Sequence, residues 1–302
     1  MRRGQCSVFF DAAGVGLSAR GVARIMIVYL NGQYVPREQA RISPEDRGFL
    51  FADAIYEVAR FYRSRPFHLV EHVSRMREGL KVLEIPVDAG FYPDVAARLL
   101  ASNDLSSRDA IVYTQVSRGA APRSHGFPPA GTAPTVYAFA RESDPPPPDE
   151  GGRAVLLPDE RWGRCDIKTV MLLANVLAFE KAKRAGAIEA ILVRDGIAWE
   201  ATKANLFLVI EGVVRTAPNG PRILPGVTRG AAIAAARALG FPVEERAFTV
   251  EEMLAADELF LASTTLWTYP VVQVDGTEIG DGRPGPISAK IREALWEEFT
   301  KE

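Results

Sequence analysis

Four consecutive prolines, Pro145 to Pro148, stand between Ser143-Asp144 and Asp149-Glu150 and divide this chain. Proline has no N–H to give to a helix or a sheet ladder, and its ring fixes φ, so such a run reads as a stiff, extended spacer. A chain of 302 residues is longer than one ordinary domain, and strand-like and helix-like stretches mix on both sides of the spacer. The expectation is an α/β (α+β) protein with a smaller domain over 26–142, a linker at 143–150 and a larger domain over 151–302. A hydrophobic fraction of 47% is ample for buried cores. Residues 1–25 stand apart: the stretch is basic at its start, rich in Gly and Ala, and has Asp11 as its only acid. It is expected to be a disordered extension, with Met26 a candidate true start and the fold beginning at Ile27.

Lys+Arg 36 against Asp+Glu 38 gives a net charge of -2, without the basic excess that nucleic-acid binding needs. No apolar run approaches the roughly 18 residues that span a bilayer. Cys6 and Cys165 are far apart and form no metal-ligand cluster, so no metal site is expected and a reducing, cytoplasmic setting fits.

Asn31-Gly32 between 27–30 and 33–35 predicts a hairpin. Residues 42–48 read as a polar connection, 54–62 as a strand, and 63–65 as a turn back into 66–69. Val70, Val73, Met76, Leu80 and Leu83 recur at helical spacing, so 70–83 is expected to be an amphipathic helix, followed by a second over 91–100. Strands are expected at 111–116, 135–140, 154–156, 190–193, 206–210, 213–214 and 258–262. Helices are expected at 170–184, 228–239, 250–255 and 287–299. The long loop from Ser117 to Pro129 carries Arg123 and His125, which would share one side of an extended segment.

The polar stretch Arg161-Trp162-Gly163-Arg164-Cys165-Asp166-Ile167-Lys168-Thr169 opens into the apolar run 170–179, expected to become a buried helix. A loop stiffening in this way can hold a lysine amine at a fixed point beside a core, where it can serve as a nucleophile; by default Lys168 is a solvated lysine before a helix. Gly226-Val227-Thr228 before a strong helix former offers free N–H groups, a positive dipole end and a hydroxyl to an anion, or simply an N-cap. Ser263-Thr264-Thr265 is a cluster of hydroxyl donors or a polar strand end. Glu200, set among small residues, could face a site, and by default pairs with solvent. Arg75 by default forms a surface ion pair with Glu71 one turn before it, and Tyr56 is a half-buried strand aromatic.

Taken together, Glu45-Asp46-Arg47-Gly48, Tyr56-Glu57, Glu71-His72 with Arg75, Ser117-Arg118-Gly119 with Pro122-Arg123-Ser124-His125, Arg161-Trp162 with Arg164-Cys165-Asp166-Ile167-Lys168, Asn205-Leu206-Phe207, Leu224-Pro225-Gly226-Val227-Thr228-Arg229 and Ser263-Thr264-Thr265 form a recognisable set. In order and spacing, from about Ile27 to the C-terminus, it resembles the fold-type IV pyridoxal-phosphate aminotransferases, the D-amino acid branch most of all. The resemblance implies a small N-terminal domain, a larger barrel-like domain and an active site between them. It implies that Lys168 holds pyridoxal 5'-phosphate as a Schiff base and moves the substrate proton, and that Glu200 pairs with the pyridinium nitrogen. Arg75, the N–H of Val227, Thr228 and Thr264 would bind the phosphate with Ser263 close by. Leu224 would pack on the ring, and Arg161 would lie near its hydroxyl side.

Arg123 and His125, with Tyr56, look like the carboxylate trap of the D-amino acid enzymes, in which the trap loop comes from the neighbouring subunit of a homodimer. The implied reaction passes the amino group of D-alanine to 2-oxoglutarate. A 4-amino-4-deoxychorismate lyase or an L-branched-chain aminotransferase on the same scaffold are the alternatives. Thr202-Lys203-Ala204 departs from the small, serine-rich stretch usual after the pyridinium glutamate, and Ala52 and Ala54 stand where glycines are common; both bear on substrate range.

Overall fold

The computed structural model describes residues 25–144 and 150–301. Residues 1–24 of the expected N-terminal extension and the proline run Pro145–Pro148 lie outside these residues.

In the first half, Asn31 and Gly32 both take positive φ and close the hairpin of β1 (Ile27–Leu30) and β2 (Gln33–Pro36). Next come α1 (Arg47–Phe51), β3 (Ala54–Tyr62), β4 (Arg65–Pro66), α2 (Leu69–Val82), α3 (Tyr92–Ser102), β5 (Asp109–Ser117) and β6 (Thr135–Glu142). The strands form one sheet in the order β2-β1-β6-β5-β3-β4. On β3, Ile55, Glu57, Ala59 and Phe61 are buried, as the period of two along a strand requires. Three of the four join Val73, Met76 and Leu80 of α2 and Leu99 of α3 in one core. Val70, expected on the apolar face of that helix, is instead 79% exposed.

The second half contains β7 (Gly152–Pro158), α4 (Leu173–Arg184), β8 (Glu189–Arg194), β9 (Ile197–Ala201), β10 (Asn205–Ile210), β11 (Val213–Thr216) and α5 (Val227–Ala238). It continues with β12 (Val243–Glu245), β13 (Phe248–Thr249), α6 (Val250–Leu254), β14 (Glu258–Ser263), β15 (Trp267–Val274), β16 (Thr277–Glu278) and α7 (Pro286–Thr300). Strands β7, β8, β9, β10, β14 and β15 close on themselves through the pairing of Asn205 with Glu200. The barrel is filled by Ile191, Leu206, Leu208, Leu259, Leu261 and Val271, among others. Strand β15 is unannounced in the sequence because Pro270 interrupts it and proline is rare in central strands; a register shift between Val271 and Gln273 accommodates the irregularity.

Two expectations need correction. The connection expected over 42–48 ends two residues early, because Asp46 caps α1 by accepting from the Gly48 N–H and the helix starts at Arg47. The helix expected over 170–184 starts only at Leu173, and it is not buried: Met171, Leu173, Val176 and Leu177 are exposed. The physical reason lies in the preceding residues. Strand β4 is too short to cover the start of β3, so the segment 168–170 lies along that open edge. The Tyr56 N–H donates to the Lys168 carbonyl at 3.0 Å and the Val170 N–H to the Ala54 carbonyl at 3.1 Å, with Ile55 and Thr169 paired between them. Ile167 is buried in the core of the first half.

Val170→Pro removes one of these donors, worth roughly 1 kcal/mol net. It is expected to lower the thermal midpoint by about 2–4 °C relative to Val170→Ala, which keeps the N–H. Equal midpoints for the two variants would show that the clasp contributes nothing.

Candidate active site

A cavity of about 250 Å³ lies where the clasped segment meets the rim of the barrel. Lys168 enters it from the clasp, its Nζ 4.2 Å from the centroid of the Tyr56 ring. That ring in turn stacks on Tyr113, with centroids 5.6 Å apart. Both the backbone and the side chain of the lysine are therefore held by β3.

Glu200, at the end of β9, reaches the same cavity and is 4% exposed. The Asn205 Nδ2 donates to it at 3.0 Å, the Leu224 N–H at 3.2 Å, and Arg161 through a short ion pair. Burial pushes the Glu200 carboxyl up to about 7, against the opposing charge and hydrogen bond of Arg161 and the Leu224 N–H. Arg161 is clamped by Asp159, whose Oδ1 accepts from its Nε at 2.8 Å. Burial disfavours the guanidinium charge, but Asp159 and Glu200 more than offset that and hold it ionised.

Arg75 corrects its default assignment. It pairs not with Glu71 on the surface but with buried Glu57 of β3, through Nε at 2.7 Å and Nη2 at 2.9 Å, while Nη1 donates to the Pro225 carbonyl at 2.9 Å. Burial alone would raise the Glu57 carboxyl; the charge of Arg75 and hydrogen bonds from Arg75 and His72 overcome this and hold it well below the usual range. His72, 2.8 Å from Glu57, is held below its ordinary value chiefly by burial. Arg75 lies beside the start of α5, where Gly226 is the N-cap residue and no side chain caps the helix. Any Cβ on Gly226 would fall 2.0 Å from Asn205 Oδ1, so only glycine lets Asn205 bridge Glu200 and the Leu224 carbonyl. Val227, Thr228, Ser263, Thr264 and Leu224 all line the cavity.

Ten of the twelve site residues expected from the sequence thus converge, and Arg123 and His125 do not. They lie on an exposed stretch of the 118–134 loop, against Phe51, with the His125 ring 5.6 Å and the Arg123 guanidinium 5.1 Å from its centroid. That loop is built rather than loose. Buried Arg47 donates to the Ser124 carbonyl at 2.8 Å and the Gly126 carbonyl at 3.1 Å, and its Nε to Asp53 at 2.8 Å. Arg118 grips the same Asp53 from the other side at 2.7 Å. Sequence reading assigned no role to Glu57, Asp159, Asn205 or Asp53. The one available signal was Glu57, a carboxylate on the apolar face of an alternating strand, where a partner has to exist.

The donors present fit pyridoxal phosphate. A buried carboxylate raised by desolvation favours a cationic ring N–H, an uncapped helix start beside an arginine favours a phosphate, and a lysine amine stands in the same cavity. The raised Glu200 group makes a testable statement on its own. A carboxyl whose folded value lies above its unfolded value contributes stability below the unfolded value and loses it as pH rises through about 7. In cofactor-free protein, the melting temperature is expected to fall from about pH 5 to about pH 8 more steeply than in Glu200→Gln, which cannot ionise; parallel profiles would overturn this.

Residues 54–274 match the family model for amino-transferase class IV. The chain is 38% identical over 281 residues to the D-alanine aminotransferase of Bacillus licheniformis, covering 92% of this chain and 98% of that one. It is 37% identical over 274 residues to the enzyme of the same name from Staphylococcus haemolyticus, covering 89% and 96%. Among solved structures, the branched-chain amino acid aminotransferase of Escherichia coli superposes with a TM-score of 0.84 at 27% identity, covering 92% of this chain and 95% of that one. A second structure of the Escherichia coli branched-chain enzyme superposes with a TM-score of 0.82 at 28% identity, with the same coverage. Fold, cavity and most of the chain's length agree, and the chain belongs to the class IV aminotransferases, enzymes that work with pyridoxal 5'-phosphate.

Proposed function

We propose that this aminotransferase is a homodimeric D-amino acid transaminase that passes the amino group of D-alanine to 2-oxoglutarate, giving pyruvate and D-glutamate. The observation that carries the reading is the split between a cavity holding Lys168 and Glu200 and a rigidly built loop presenting Arg123 and His125 away from it. The names of the relatives point to the same substrate.

Pyridoxal phosphate, when bound, supplies an aldehyde that takes up an amino group and a ring that accepts the electron pair of the broken Cα–H bond. Lys168 holds the cofactor and afterwards carries the proton to and from the substrate Cα. Glu200 keeps the ring nitrogen protonated. Leu224 would pack on the cofactor ring, and Arg161, fixed between Asp159 and Glu200, would lie near its hydroxyl. The N–H of Val227, Thr228, Thr264 and Arg75 hold the phosphate, with Ser263 beside them.

Arg123, His125 and Tyr56 take the substrate carboxylate. The fork of an arginine fixes a carboxylate's plane as well as its position, and that placement decides which hand of amino acid turns its Cα–H toward Lys168. The first two reach the site from a second copy of this chain. The surface supports such a partner: Phe49 and Phe127 are exposed beside the loop, and Met171, Leu173, Val176 and Leu177 are exposed beside the cavity, an apolar area that water disfavours. Buried Cys165 is a free thiol and suits a reducing, cytoplasmic compartment. Among the described residues, no helix is long and apolar enough to cross a membrane.

Borohydride reduction of the holoenzyme, followed by peptide mapping, is expected to fix the cofactor on Lys168; a label on another lysine would end this reading. In a coupled pyruvate assay, D-alanine with 2-oxoglutarate should outpace L-leucine, and faster turnover of L-leucine would assign the branched-chain reaction instead. Pyruvate released from aminodeoxychorismate without an acceptor would assign the lyase. Arg123→Ala is expected to raise the KM for D-alanine by about tenfold or more, as loss of a charged hydrogen bond does, with cofactor still bound. Loss of the cofactor in that variant would show the arginine to have another role.

A further inference from the structure

Most charges around the cavity are already spoken for. Arg75 is neutralised by Glu57, and Arg161 by Asp159 and Glu200. Two cations remain without an ion pair among the described residues that line it, Lys168 and Lys203. Lys168 is committed to the cofactor, so Lys203, whose ammonium rests on Phe179 outside the lining, is the one other cation among the described lining residues that can turn toward an anionic ligand.

Its position says which anion. Lys203 sits in the turn from β9 to β10, three residues after Glu200, and lines the cavity. The turn is fixed from both sides: Thr202 Oγ1 donates to buried Glu189, and the Thr202 carbonyl accepts from Asn175 Nδ2 at 2.7 Å. Asn175 belongs to α4, and the ammonium of Lys203 rests 3.7 Å from the ring centroid of Phe179 on the same helix. Helix α4 packs on β7 and β8, whereas α5, whose uncapped start forms the phosphate cradle, packs on β10, β14 and α7. Lys203 therefore stands on the α4 side of the lining, a different wall from Arg75 and Thr228 at the start of α5, with Asn175 bonded to its turn.

We infer that Lys203 is a specificity-determining residue that receives the second, side-chain carboxylate of dicarboxylic substrates, the 2-oxo and amino diacids, while the α-carboxylate is held elsewhere. The inference rests on the transaminase reading for the substrate's orientation. The ammonium is loosely held: a ring face is a weak anchor, and the single carboxylate near it, Glu189, already accepts from Thr202 and from the Ala190 N–H at 3.0 Å. Burial favours loss of its proton and the charge of Glu189 opposes that; an incoming carboxylate would reinforce the charged form. A mobile point charge on a long stem suits a group whose distance from Cα differs between diacids.

The test compares wild type, Lys203→Ser and Lys203→Arg as holoenzymes, following the cofactor absorbance in half-reactions. The ratio of kcat/KM for D-glutamate to that for D-alanine is expected to fall about tenfold in Lys203→Ser, through KM, and to recover largely in Lys203→Arg. Glutarate and valerate, equal in length but different in charge, are titrated in parallel; glutarate binding should weaken about tenfold in Lys203→Ser and valerate binding less than about threefold. An unchanged ratio, or equal weakening of both acids, would make Lys203 a structural residue. Weaker cofactor retention with the ratio intact would assign it to the phosphate. Glutarate carries no handedness, so a charge-dependent loss of glutarate binding in a protein that ignores D-amino acids would overturn the D-transaminase reading and leave the diacid subsite standing.

Discussion

The structure depends on a short backbone clasp in which residues 168–170 lie along the open edge of β3. Two hydrogen bonds, which together make the single bridge between Ile55 and Thr169, fasten this segment of the second half to the sheet of the first. They matter out of proportion to their number because the residue so fixed is Lys168. A lysine has four rotatable side-chain bonds, and fixing its Cα on a sheet edge while Tyr56 carries its amine removes most of that freedom before any ligand arrives. The same clasp delays the start of α4 to Leu173, and thereby leaves an apolar helix face exposed beside the cavity.

Around that fixed amine, charge is arranged in closed units. Glu57 with Arg75 and His72, Asp159 with Arg161 and Glu200, and Asp53 with Arg47 and Arg118 each bury a carboxylate against at least one guanidinium. An unpaired buried charge would cost several kcal/mol. Paired and hydrogen-bonded, these groups become rigid scaffolding: the first positions α2 against the start of α5, the second sets the carboxylate of Glu200, and the third shapes the loop bearing Arg123 and His125. The first unit is neutral, the second carries one more acid than guanidinium and the third one more guanidinium than acid, so both guanidiniums lining the cavity, Arg75 and Arg161, are paired with carboxylates.

Much of this was legible in the sequence wherever the physics is local. The hairpin at Asn31-Gly32 follows from two residues that tolerate positive φ, and the helix over Val227–Ala238 from a run of alanines behind a glycine. The site residues near turns and helix starts could be picked out because their chemistry is tied to such positions. Strand β15 escaped because Pro270 contradicts its neighbours' preference, and the buried helix expected after Lys168 failed because a run of apolar residues does not say whether the core of its own chain will cover it. Asp159 gave no signal at all, since its partner Arg161 is close in sequence and could as well have been a surface pair.

By itself the amino-acid sequence determined most of the longer strands and helices, the residue types at the turns and, through motif order and spacing, the chemistry for which the chain is equipped. Tertiary structure alone decided that Arg75 abandons Glu71 for Glu57, that Glu200 is buried deeply enough to hold its proton up to about 7, and that Lys203 joins the same cavity lining with its ammonium on Phe179 of α4. The reason is that local preference depends on neighbours along the chain, whereas burial, dielectric and ion pairing depend on groups brought together from distant positions. Those terms have no value until the barrel has closed and residues 168–170 have found the edge of β3.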